Sequence, residues 1–150
     1  MESKILLATA EALSNMVPAR LFWGQGQAEF AVNRRNNSAK DVPKLLGRGE
    51  SPKGPIDHSV PLLAVRSTEG DKLLALVFGY ACHNTTLEID RWCGDYSGFA
   101  QLELERSHPG AVAMFTMGCG GDQNPIPRRT IELCQKYGRQ LAAAVDKVLS

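Results

Sequence analysis

The stretch Leu73 to Leu87, LLALVFGYACHNTTL, constrains this chain more than any other. It opens as a near-continuous apolar run rich in aliphatic and aromatic residues, the pattern of a strand buried on both faces. It then stops in Cys82-His83-Asn84-Thr85-Thr86. A strand ending in histidine and small hydroxyl residues sets an imidazole at a sheet edge, where open α/β folds place their ligands. Two later stretches are expected to meet it: Cys93-Gly94-Asp95-Tyr96-Ser97-Gly98, and Gly118-Cys119-Gly120-Gly121-Asp122-Gln123-Asn124-Pro125.

The surroundings support a sheet. Pro61 to Arg66 is a second apolar run, joined to Leu73–Tyr80 by a short loop containing Gly70, which predicts a β-hairpin. Ala111 to Met117 reads as a third strand, apolar on both faces, running into the glycine-rich loop. Ala19 to Gly24 reads as a strand broken by Gly24 and Gly26, and Glu29 to Asn33 as a short one. Helical spacing appears in three places: an N-terminal helix capped by Ser3 and ended by Pro18, Tyr96 to Ser107, and Pro127 to Leu149. The expected fold is α/β, a mixed β-sheet with packed helices, in a single segment over residues 1–150. Residues 34–57 break the pattern. They are polar and rich in Lys, Arg, Gly, Pro and Asn, and read as one long polar loop. Arg34-Arg35 within it can grip a phosphate or carboxylate, or simply begin a solvated loop.

Composition excludes several function classes. A formal net charge of +1 over 150 residues gives no electrostatic footprint for nucleic acid or an anionic membrane. No apolar run reaches transmembrane length, and the N-terminus does not read as a signal peptide. Four cysteines at irregular spacing match neither a disulfide scaffold nor a zinc ribbon.

The chemistry-bearing residues fall in the three loops. His83, with Asn84, Thr85 and Thr86 to orient its ring, suits a zinc ligand or a general base; a lone histidine at a sheet edge is also compatible with a structural role. Asp95 and Asp122 are the nearby carboxylates, and the same residues serve equally as a helix N-cap and a turn residue. Loop 118–125 lacks the Lys-Ser/Thr of a phosphate-binding loop. Its glycines Gly120 and Gly121 instead expose backbone N–H groups able to hold an oxyanion. Cys82, Cys93 and Cys119 lie beside these loops, as members of a Cys/His cluster or as small buried hydrophobes.

These loops carry a resemblance. Ala81-Cys82-His83-Asn84-Thr85-Thr86-Leu87 resembles the A-x-H-P-T-T/S segment of the neutral/alkaline, non-lysosomal ceramidase family. Gly94-Asp95-Tyr96-Ser97-Gly98 resembles its A-D-Y-P-G segment, and Gly118 to Pro125 its G-A-A-G-D-x-N/S-P loop. Pro18-Ala19-Arg20, with Phe30 to Arg35, is similar to the P-A-R…F-A-x-N-R-R segment of bacterial members. Order and intervening lengths agree over nearly the whole chain.

The resemblance implies an interior part of a larger zinc-hydrolase domain that cleaves the N-acyl amide bond of a sphingolipid. It implies a zinc held by two histidines, a glutamate and a tyrosine, with His83 as the second histidine. The first histidine is expected ahead of Met1, and the glutamate and tyrosine beyond Ser150. It places Asn124 where characterised members carry a serine proposed to act in catalysis, beside Asp122 and Asp95. Members are often secreted or periplasmic, and the compartment of this chain stays open. The expectation is therefore a ceramidase-like amide hydrolase module, with a lipid amide as substrate, that is inactive alone. Two alternatives stand beside it: a non-catalytic assembly module self-associating through an exposed sheet edge, and a self-sufficient hydrolase pairing His83 with Asp95 or Asp122.

Overall fold

The hairpin forms as the two apolar runs require. In the computed structural model, which describes residues 2–150, β3 (Ser59–Ser67) and β4 (Leu73–Tyr80) pair antiparallel, with a register shift between Val65 and Arg66. Outside β3 lies β1 (Ala19–Gln27), antiparallel, and outside β4 lies β5 (Val112–Met117), parallel. The mixed four-stranded sheet therefore runs β1-β3-β4-β5. The parallel step is a crossover through α3 (Asp95–Ser107), which packs with α4 (Ile131–Leu149) on one face of the sheet. The fold is α/β with a mixed sheet and packed helices.

Burial follows the strand period on that face only. Val60, Leu62 and Ala64 of β3, with Leu76, Phe78 and Tyr80 of β4, are buried, while Pro61, Leu63, Val65, Ala75 and Val77 between and beside them are half-exposed. The expectation that β4 and β5 are apolar-buried on both faces is thus corrected: the side chains are apolar on both, but the helices cover one. β1 is also longer than expected. Gly24 and Gly26 do not break it, because they let α4 lie directly on it. A Cβ on Gly26 would meet the Ala144 carbonyl oxygen at 2.5 Å.

Phe30 ties the helical layer to the sheet. Its ring stacks on Tyr137 of α4 at 4.7 Å and meets Tyr80 of β4 at 4.7 Å and Tyr96 of α3 at 5.0 Å. Each tyrosine then spends its hydroxyl on a loop carbonyl: Tyr80 on Ala28, Tyr96 on Cys82 and Tyr137 on Pro127. The same side chains that fill the core thereby fix the segments leading into and out of the strands.

The short strand expected over Glu29 to Asn33 forms, whereas its partner strand and a helix within the polar stretch are absent from the sequence reading. β2 (Ala31–Asn33) and β6 (Gln123–Pro125) form a small antiparallel sheet. The polar stretch 34–57 contains α2 (Val42–Gly47), with Val42 fully buried. Helix α1 (Glu2–Ser14) starts ahead of Ser3, which is not its cap, and none of its residues is buried. The last helix starts at Ile131 and not at Pro127, with Thr130 Oγ1 accepting from the Leu133 N–H as its N-cap. Among the described residues no helix is long and apolar enough to cross a membrane.

Candidate functional site

The chain leaves β4 at Tyr80 and reaches His83 three residues later, at the parallel β4–β5 end of the sheet. The Gln123 carbonyl accepts from the His83 backbone N–H at 3.0 Å and contacts the ring Nδ1 at 3.1 Å. A carbonyl oxygen only accepts, so Nδ1 carries the proton. In the neutral ring Nε2 then holds the free lone pair, the arrangement that readies an imidazole to ligate or to take a proton. His83 is half-buried, and Nε2 has no hydrogen-bond partner among the described residues.

The small β2/β6 sheet holds that carbonyl in place. Gln123 pairs with Asn33, Asn124 with Val32 and Pro125 with Ala31. The buried Asn33 is the hub. Its Oδ1 accepts from the Arg35 and Asn36 N–H groups, and its Nδ2 donates to the Pro55 carbonyl and to Asp122 Oδ2 at 3.2 Å. Arg34 reaches the same loop, donating from its backbone to the Asp122 carbonyl and from Nε to the Gly121 carbonyl. In this structure, then, Arg34 grips loop backbone. Asn33 was missed as a site residue. Its signal was its place in the F-A-V-N segment, where a polar residue follows three apolar ones at a strand end.

The glycine-rich loop lies against the histidine segment. Gly118 N–H donates to the Tyr80 carbonyl, and Gly120 N–H donates to the Gly118 carbonyl. Of the two proposed oxyanion donors, Gly120 spends its N–H inside the loop, whereas that of Gly121 has no partner among the described residues. Asn124 is buried in β6 with no side-chain hydrogen bond among the described residues.

Asp95 opens α3, with Gly94 in the N-cap position expected for Asp95 itself. It is buried, and its φ of 51° lies in the left-handed region. Its carboxylate accepts from three backbone N–H groups: Thr86 at 3.1 Å, Leu87 at 2.8 Å and Tyr96 at 2.8 Å. It therefore clamps the turn after His83 to the start of α3. Arg129 N–H adds a bond to the Thr86 carbonyl from the approach to α4. Around this clamp Asn84 Oδ1, Thr85 Oγ1, Thr86 Oγ1 and Arg128 Nε are buried without hydrogen-bond partners. Such atoms are rare in native proteins, and here three of the four belong to the turn Asn84–Thr86 beside His83.

His83, Asp122, Asn124 and Gly121 thus come together, with Asp95 one turn away as the clamp. A surface hollow of about 360 Å³, lined by Cys93, Gly94, Asp95 and Gly98 among others, runs along the first turns of α3 rather than at His83. Cys82 and Cys134 are buried thiols, whereas Cys93 and Cys119 are exposed; all four are free. No group of three or more His, Cys, Asp or Glu is placed to hold a metal among the described residues. The suggested Cys/His cluster does not form.

Burial raises several proton affinities. The thiol of Cys134 is pushed up to about 12 and the Tyr137 hydroxyl to about 12, while Cys82, Tyr80 and Tyr96 are pushed higher still, desolvation leading in every case. In the unfolded chain a thiol deprotonates near 9.0 and a phenol near 10.0, while the folded chain keeps these protons. The unfolded state then binds fewer protons, so stability present below pH 9 is lost as pH rises. The loss is about 1.4 kcal/mol per pH unit for each buried group once its unfolded counterpart ionises. Urea midpoints are expected to hold level through neutrality and fall steeply above about pH 9 to 10; a flat alkaline profile would contradict this.

The site and sheet define a class, an α/β layer whose strand-end loops present a single oriented imidazole. Two solved structures with a similar fold are ceramidases. The chain superposes on neutral ceramidase from Pseudomonas aeruginosa with a TM-score of 0.74 at 19% identity, over 97% of this chain and 25% of that one. A ceramidase complexed with C2 gives a TM-score of 0.73 at 19% identity, over 93% and 23%. The chain spans about a quarter of the length of these solved proteins, and the likeness establishes a ceramidase-like fold. No protein-family model matches the sequence, and no curated protein matches it significantly.

Proposed function

We propose that this chain is the His83-bearing module of a ceramidase-like amide hydrolase acting on an N-acyl lipid amide. The observation that carries the reading is the Gln123 carbonyl holding His83 Nδ1, which leaves Nε2 as the lone-pair nitrogen within a ceramidase-like fold. Such enzymes are expected to use zinc. A catalytic zinc takes about three protein ligands and an open position, and the described residues do not fit that demand. His83 is proposed as one contributor through Nε2, the remaining ligands coming from groups outside residues 2–150. The residues of this chain then orient and bind. Asp122, restrained by Asn33, and Asn124, whose amide has no partner among the described residues, are the proposed substrate contacts, and the Gly121 N–H is the proposed oxyanion donor. Asp95 positions the turn.

A self-sufficient hydrolase is disfavoured by the same contacts. The Asp95 carboxylate is fully engaged with three N–H groups, and Asp122 is tied to Asn33.

The purified chain is expected to retain well under one zinc after dialysis and to leave a fluorogenic N-acylsphingosine uncut. Exchanging it for the matching quarter of the Pseudomonas aeruginosa neutral ceramidase should give a chimera that binds zinc and turns over. His83→Ala in that chimera should remove both, since losing one of few ligands leaves a coordination position unfilled. Stoichiometric zinc with turnover in the isolated chain refutes the module reading. A folded chimera whose zinc content ignores His83→Ala refutes the assignment of His83.

A further inference from the structure

The turn that carries His83 is tied to α3 by a bond between two side chains. Asn84 Nδ2 donates to Ser97 Oγ at 2.9 Å, and Ser97 Oγ donates to the Gly94 carbonyl at 2.9 Å. The second bond commits the one hydroxyl hydrogen of Ser97. Its oxygen is left only to accept, so Asn84 must present its amide nitrogen. Ser97 is buried in the first turn of α3. The link therefore runs from the residue after His83, through two side chains, to the backbone that starts the helix.

Neither residue uses its own backbone N–H. Those of His83, Thr85, Thr86 and Gly98 around them all donate, whereas those of Asn84 and Ser97 have no partner among the described residues. A position with an idle N–H accommodates proline without losing a bond, and the first turn of a helix is where a helix tolerates it. Proline is what the resembling segments carry at both places. A-x-H-P-T-T/S has it where this chain has Asn84, and A-D-Y-P-G where it has Ser97. The two departures from proline are thus each other's hydrogen-bond partners. A proline after His83 would hold the histidine's own backbone in the extended region. With Asn84 in its place, the side-chain link is what restrains that residue.

We propose that Asn84 and Ser97 are a coupled positioning pair for His83, holding by a side-chain bond the turn that a proline at each position would hold by its ring. The pair acts on the histidine through the backbone. It complements the Asp95 clamp, which grips the same turn two and three residues later, at Thr86 and Leu87. Its value to catalysis rests on the assignment of His83 under the proposed function. The bond and the ring orientation do not, and the test reads only those.

Ser97→Ala should raise the unfolding equilibrium constant about 10-fold in urea titrations, because it strands the Asn84 amide donor. Adding Asn84→Ala should cost nothing more, since no donor is then left unpaired. Ser97→Pro should weaken the chain in the same way. Adding Asn84→Pro to it should return the constant to within about threefold of the parent, each ring stiffening the unfolded chain at a compatible position. Imidazole nitrogen NMR reads His83 itself. A single Nδ1–H form is expected in the parent and in the double proline variant, and a second tautomer in each single alanine variant. Additive alanine effects, a His83 ring indifferent to both alanines, or a double proline variant no more stable than Ser97→Pro overturns the proposal. Loss or retention of zinc in His83→Ala bears on the ligand assignment alone and leaves these readings unchanged.

Discussion

Asp95→Ala is expected to lower the unfolding free energy by about 3–5 kcal/mol, a large share of the roughly 5–15 kcal/mol a domain of this size possesses. The carboxylate is the only acceptor for the Thr86, Leu87 and Tyr96 N–H groups among the described residues, and Thr86 and Tyr96 are fully buried. Removing it strands those donors, each worth about 1–3 kcal/mol when left buried and unpaired. Alanine also tolerates the left-handed φ of 51° less well than aspartate. Two further variants separate the contributions. Asp95→Asn keeps the shape and tolerates the backbone but offers one acceptor oxygen, and should lose about half as much. Asp95→Gly relieves the backbone and loses every bond, and should fall close to alanine. Urea denaturation measures all three. If alanine matches the parent chain, the clamp holds nothing.

Much of this arrangement was legible. The hairpin, the crossover helix and the final strand follow from apolar runs and turn residues, and the sequence order of the three loops anticipates a common edge. The long element boundaries were within a few residues. What escaped were features set by close approach. Gly24 and Gly26 read as breakers because composition cannot tell a glycine that ends a strand from one that admits a helix onto it. Strand β6 is three residues long, too short for a period to register, and pairs with the short strand that was expected, Gln123 meeting Asn33 across the molecule. Helix α2 was concealed by its polar surroundings, although Val42, Leu45 and Leu46 stand at helical spacing.

The bare sheet face shows a different limit. A continuous apolar run reports that both faces of a strand want cover, and β4 and β5 have that run. It does not report where the cover comes from. In this chain the helices supply one side, and Trp23, Val112 and Met114 remain exposed on the other. The same distinction applies to the site. Sequence order gathers His83, Asp122 and Asn124, but only the β2/β6 pairing shows that a carbonyl fixes the ring, and that Asn33 holds the Asp122 carboxylate.

Gly120→Ala should separate the glycine-rich loop from the histidine segment, while Gly121→Ala should change almost nothing. A Cβ on Gly120 would lie 2.6 Å from Cys82 N, 2.8 Å from the Ala81 carbonyl carbon and 2.9 Å from Cys82 Cα. All three are backbone atoms of the segment that delivers His83, so no side-chain rotation relieves the contact. Loop and segment must move apart, at about 1–3 kcal/mol for overpacking, with more lost if the Gln123 carbonyl lets go of His83. A Cβ on Gly121 meets nothing within 4 Å, and the residue is exposed, so its alanine variant should stay within about 0.5 kcal/mol of the parent. The ring reports the difference directly. Imidazole nitrogen NMR should show the Nδ1–H form in the parent and in Gly121→Ala, and a mixture of tautomers in Gly120→Ala, because only the Gln123 carbonyl selects between the two nitrogens. If Gly120→Ala keeps a pure Nδ1–H ring at unchanged stability, the loop does not hold His83, and the orientation of its Nε2 must come from elsewhere.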